Sequence, residues 1–200
     1  MSTSKRSSKG FSGSRKAGQT SNNRLWIGVI AGVSLLVVVG AAFLIFNGGS
    51  QPASSVEGVV TFNVPQGHQD GSLTYPQTPP AGGIHNPSWQ NCGIYDQPIP
   101  NEQAVHSLEH GAAWITYQPD LPAEDVEQLR ALVRGRDFAL LSPYPDLPAP
   151  VVASAWGVQL KVDSAADPQL SAFLTRYMQG PQTPEPGAPC SSGVGTPVES

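Results

Sequence analysis

The chain has 200 residues, only 13 % of them charged, with 21 Gly and 20 Pro, a composition that argues against a helical bundle and for many turns and loops. The formal net charge is −4, but Lys5, Arg6, Lys9, Arg15, Lys16 and Arg24 all lie in the first 24 residues, which carry no acidic group. The remainder therefore sets five basic residues against fifteen acidic ones, a balance of −10. That excess argues against nucleic-acid binding, which needs clustered Lys and Arg to neutralise phosphates.

Residues 1–24, rich in Ser, Gly, Lys and Arg, hold too few apolar side chains for a core and are expected to be a disordered basic cytoplasmic tail. Anionic lipid headgroups are the expected contact of this tail. Residues 25–46 read LWIGVIAGVSLLVVVGAAFLIF without a charge. About 20 apolar residues at about 1.5 Å rise span a hydrocarbon core of about 30 Å, so the run is expected to be a transmembrane helix. Trp26 sits at one end, where an amphipathic ring favours the interface. Cleaved signal peptides have shorter apolar cores of about 7–15 residues, so an uncleaved anchor is expected. The basic flank places the N-terminus in the cytoplasm and the C-terminal part outside the cell membrane.

Residues 47–57 read as a flexible linker. The globular extracytoplasmic domain is expected over 58–180, with an irregular Pro/Gly-rich tail over 181–200. Within the domain, GVVTFNV at 58–64 reads as a strand, followed by a long loop from Pro65 to about Pro100. Asn101 is the expected N-cap of a short helix, Glu102 to His110, stopped by Gly111. AAWITYQ at 112–118 reads as a buried strand. In EDVEQLRALVRGR, Val126, Leu129, Leu132 and Val133 share a helical face, with acidic residues at the start and basic ones at the end as the helix dipole prefers. FALLSP at 138–143 reads as a strand, VVASAWGVQLKV at 151–162 as a strand or bent hairpin, and PQLSAFLTRYM at 168–178 as a helix with Pro168 near its first turn. The expected class is α+β, or a small α/β domain.

The chemistry-bearing residues cluster. VHSLEHG carries His106, Glu109 and His110. Residues four apart share a helix face, so the two imidazoles can address one ion, and H-x-x-E-H is the inverted zincin spacing. The alternative is that one His caps the helix C-terminus while the other packs. His85 follows Gly82 and Gly83, which permit a sharp turn, and His68 lies in another turn-rich stretch. Two loop His converging on the helical pair would make a three- or four-His site suited to Zn or Cu. Glu109 would orient a ligand from outside the donor set or serve as general base; any catalytic role falls to it. Cys92 and Cys190, the two cysteines, are expected to form a disulfide outside the cytoplasm. The rival reading makes Cys92 a thiolate ligand near His85, and Met178 a soft ligand against its more usual role as core. No G-x-S-x-G elbow surrounds Ser107, and no phosphate-binding Gly loop is visible.

The run from Tyr75 to Pro119, with PP-x-x-G-x-H at 79–85, G-x-Y at 93–95 and VHSLEHG at 105–111, together with AWG at 155–157, resembles an uncharacterised bacterial domain family. That family occurs behind a single membrane anchor, often in actinobacteria, and has no assigned reaction. The resemblance covers roughly residues 58–180 and implies that His85, His106, Glu109 and His110 belong to its signature. The resulting expectation is a membrane-anchored domain that binds Zn or Cu through His85, His106, His110 and His68, more a binding module than an enzyme. Two rivals remain. One is an accessory subunit of a membrane protein complex, with Trp89, Tyr95 and Tyr144 as contacts. The other is a metal-dependent hydrolase using Glu109.

Overall fold

A computed structural model describes residues 56–200. The expected basic tail, membrane helix and most of the linker lie outside the described residues. Among the described residues, no helix is long and apolar enough to cross a membrane.

The elements follow the expected order with one addition. They are β1 (Val60–Thr61), β2 (Gly93–Ile94), α1 (Asn101–Glu109), β3 (Ala113–Tyr117), α2 (Ala123–Val133), β4 (Ala139–Pro143), β5 (Val151–Ala155), β6 (Val158–Val162) and α3 (Pro168–Tyr177). They form an α+β fold on one six-stranded mixed sheet, ordered β1-β6-β5-β3-β4-β2. β3 and β4 run parallel because α2 carries the chain back between them, whereas β5 and β6 form an antiparallel hairpin beside β3. The stretch at 151–162 is thus the bent hairpin, closed by Trp156 and Gly157, with Gly157 at φ 69°.

Three local expectations need correction. The strand expected over 58–64 shrinks to Val60–Thr61, because pairing with β6 engages only those two residues. Asn101 is the first helical residue rather than the cap. Pro100 holds the N-cap position in extended geometry, and no side chain caps that end. β2 was not foreseen; its two residues add in parallel to β4.

Both faces of the sheet are covered, which explains why β3 and β4 are buried at every position. On one face, Leu129 and Val133 of α2 and Leu170, Phe173 and Leu174 of α3 pack on Ile115, Leu141, Val151 and Leu160. Each such apolar side chain contributes about 1.5–3 kcal/mol by leaving water. Met178 packs against this cluster, so it serves the core and is not a soft ligand. Asp167 caps α3 by accepting from the Gln169 amide at 2.8 Å, with Pro168 in the first turn as expected. On the opposite face, Ala104, Val105 and Leu108 of α1 pack with Trp114 and Leu140. The long loops from 65 to 100 lie on this side, and the disulfide between Cys92 and Cys190, Cα atoms 5.3 Å apart, fastens the C-terminal segment to them.

That C-terminal segment has no helix but is not loose against the sheet. The Ile94 amide donates to the Glu199 carbonyl and the Val198 amide to the Ile94 carbonyl, each at 2.8 Å. Glu199 also accepts from Arg130 at 3.0 Å and Arg134 at 2.8 Å.

Candidate metal centre

α1 places its apolar residues against the sheet and so turns its polar face toward the loops. His106 and Glu109, three apart, share that face. The helix ends at Glu109, and His110 is its C-cap residue. Gly111 then reverses the chain at φ 98°, a conformation that disfavours any side chain.

Two loops complete the group. The His85 amide donates to the Gly67 carbonyl at 3.0 Å and the Gln69 amide to the His85 carbonyl at 2.7 Å, which sets His68 beside His85 as in a parallel ladder. Gly82 and Gly83, at φ 125° and 120°, bend the second loop inward. A Cβ at Gly82 would come within 2.8 Å of Val64. The Asn86 amide donates to the Glu102 carbonyl, and the Leu73 amide to the Glu102 carboxylate at 2.8 Å, so both loops are tied to the first turn of α1.

The outcome is a group of His68, His85, His106 and Glu109 whose donor atoms all lie within 4.8 Å of one another. His85 Nε2 is 3.0 Å from Glu109 Oε2, and His68 Nε2 is 3.7 Å from the same oxygen. Donors around a tetrahedral ion with bonds of about 2.0–2.1 Å sit about 3.3 Å apart, a value these two distances bracket. His85 is fully buried, Glu109 is 3 % and His106 5 % exposed, whereas the His68 side chain is 45 % exposed and forms the open edge.

The tautomers follow from the surroundings. His85 Nδ1 donates to the Gly83 carbonyl at 2.8 Å, and His106 Nδ1 to the Asn86 carbonyl at 2.6 Å. Because a carbonyl only accepts, both imidazoles carry their proton on Nδ1 and present the Nε2 lone pair to the group. This is the orientation that ligating histidines adopt. Burial lowers the His85 pKa and takes that of His106 down to about 4, against the opposing pull of the two carbonyls, so both rings are neutral near pH 7. Burial, assisted by Glu185, raises the Glu109 carboxyl. His85 Nε2 and Glu109 Oε2 are both buried without a hydrogen-bond partner although only 3.0 Å apart. Their approach lacks hydrogen-bond geometry, and two buried acceptors facing each other are costly without a cation between them.

The expected residues thus fall into place unevenly. His68, His85 and His106 meet. Glu109, expected outside the donor set, supplies a donor within it. His110, expected beside His106 as a ligand, has its ring 4.5 Å from that of His106, but its Nδ1 donates to the Pro189 carbonyl at 2.7 Å and its Nε2 faces Glu185 at 3.8 Å. Cys92 is in the disulfide and so offers no thiolate. Ser107 is buried and its hydroxyl donates to the Gln90 carbonyl at 2.6 Å. Among the aromatics expected as surface contacts, Tyr95 is buried with its hydroxyl on the Asn91 carbonyl, and Tyr144 packs on Trp114. Trp89 stands 5.7 Å from the His106 ring and 5.2 Å from that of His110. Glu185 was not singled out from sequence, and Trp156, 5.8 Å from His85, entered only within the AWG of the family resemblance. Nothing local to residue 185 marks it.

Residues 67–192 match the model of a family described as a protein of unknown function, DUF3105. The chain belongs to this DUF3105 family. The match includes all four members of the His/Glu group, His110, Glu185 and both cysteines. No curated protein and no solved structure matches the chain.

Proposed function

We propose that this DUF3105 domain binds a transition-metal ion through His68, His85, His106 and Glu109, on the outer side of the membrane to which residues 25–46 anchor it. The observation that carries the reading is the buried pair of unpartnered acceptors, His85 Nε2 and Glu109 Oε2, inside a set of oriented imidazoles. An ion bonded to both would turn the repulsion into coordination. Three imidazoles and a carboxylate, with no thiolate, suit Zn(II) or Cu(II). A four-donor protein shell leaves a tetrahedral ion no open position for water, which favours binding or delivery over hydrolysis. The uninterrupted apolar run and its basic flank support the anchor, and the disulfide supports an oxidising compartment.

Elemental analysis of the purified chain tests the reading, with His85→Ala/His106→Ala as control. The expected result is about one equivalent of Zn or Cu, absent from the control. No bound metal after loading with Zn(II) or Cu(II) and desalting would overturn it.

A further inference from the structure

Beside the four-donor group stands a second pair that the group does not use. His110 is 3 % exposed, and its Nδ1–H is committed to the Pro189 carbonyl at 2.7 Å. In the neutral ring the Nε2 then carries the lone pair. That lone pair faces Glu185 Oε2 at 3.8 Å, beyond hydrogen-bond reach. Two metal bonds of about 2.0–2.1 Å span up to about 4.1 Å, so the gap accepts one cation and is too wide for a shared proton.

The pair also has the right placement. The Glu185 side chain is 54 % exposed, so one donor reaches solvent while the other lies buried. The Glu185 amide donates to the Glu109 carbonyl at 3.1 Å, which holds the segment against the end of α1. A few residues on, the Cys92–Cys190 disulfide and the Cys92 amide, donating to the Cys190 carbonyl at 2.7 Å, secure the same segment. On its inner side the His110 ring lies 4.5 Å from that of His106, a member of the four-donor group. His110 thus touches both the solvent-reaching Glu185 and His106 of the four-donor group.

We propose that His110 and Glu185 form an outer cation site through which a divalent transition-metal ion passes to and from the buried His68/His85/His106/Glu109 group; this rests on the metal-binding reading above. Transfer is ligand exchange. The ion's bonds to Glu185 Oε2 and His110 Nε2 break as bonds to His106 Nε2 and Glu109 form, and its remaining waters return to solvent. No electron moves, and the ion keeps its charge. The pair is a route rather than a resting place, since two donors hold an ion less firmly than four.

Stopped-flow mixing of the metal-free full chain with Cu(II), read by quenching of tryptophan emission from Trp89 beside His106 and His110, measures loading. Release is read with a chelator. Glu185→Gln keeps the size of an exposed side chain and removes its charge, so folding is not at stake. Loading slows by about tenfold, the scale of electrostatic attraction of an ion to its site, release does not speed up because the exit route is lost with the entry route, and the variant still takes up one equivalent at saturation. Parental rates in Glu185→Gln would overturn the proposal and move the route to the exposed edge at His68. A weakened affinity with unchanged loading would also overturn it, making Glu185 a resident ligand. A lowered melting temperature of the metal-free variant with no kinetic change would reduce the pair to a helix-capping ion pair. If the parent chain binds no Cu(II) at equilibrium, the metal-binding reading itself fails and this route with it.

Discussion

Glu109→Gln should abolish metal binding and yet stabilise the metal-free protein. In the parent, Glu109 Oε2 and His85 Nε2 are both acceptors, 3.0 Å apart, buried and unpartnered. Each buried orphan costs about 1–3 kcal/mol. The amide of Gln is nearly isosteric with the carboxylate and brings two N–H donors, one of which can reach the His85 lone pair. A new hydrogen bond is worth about 0.5–1.5 kcal/mol, and relief of one or both orphans adds to it. The expected gain for the metal-free protein is about 1–3 kcal/mol, or roughly 3–9 °C in Tm for a domain of this size. The assay is urea unfolding and thermal melting of chelator-treated parent and variant at about pH 8. Metal content measured in parallel should fall to background in the variant. A variant less stable than the metal-free parent would refute the reasoning, because Glu109 would then be a satisfied member of a structural network.

Two further predictions concern the rest of the domain. The Cys92–Cys190 bond spans 98 residues, and its removal by Cys92→Ser/Cys190→Ser should cost about 2–5 kcal/mol in urea unfolding, since it closes a long loop in the unfolded chain. An unchanged midpoint would mean that the C-terminal segment holds its place through backbone pairing alone. The metal-free protein should also lose stability as pH falls from about 6.5 toward about 4. Burial lowers the pKa of His85 and His106, so in that window the unfolded chain binds more protons than the folded one. Glu109, whose pKa is raised, acts with the opposite sign and offsets part of the loss. Bound metal should be lost over the same range, because protons compete for the imidazole nitrogens. A urea midpoint that stays level across this range would contradict the lowering of these two imidazoles by burial.

Sequence alone determined the features that depend on local pattern. The apolar face of α2, the turn chemistry at Gly111 and the Pro168 start of α3 were legible because helix periodicity and stop signals act within a few residues. The apolar runs announced a buried strand at β3 and a strand at β4. Two cysteines in a chain with a long apolar run near its start pointed to the disulfide. The chemistry of the site was visible as residue types, in His68, His85 and VHSLEHG.

Tertiary structure decided which of these residues meet. Sequence spacing offered His106 and His110 as a same-face pair, with Glu109 beside them. The end of α1 at Glu109 and the anchoring of His110 Nδ1 on Pro189, 79 residues away, separated the two. His68 joins His85 only through backbone bonds between two loops, and β2 exists only because β4 offers it an edge. Glu185 comes to His110 because the disulfide and the Glu109 carbonyl hold its segment there. Such contacts join residues far apart in sequence, and their free energy belongs to the folded arrangement of loops, which no local periodicity encodes.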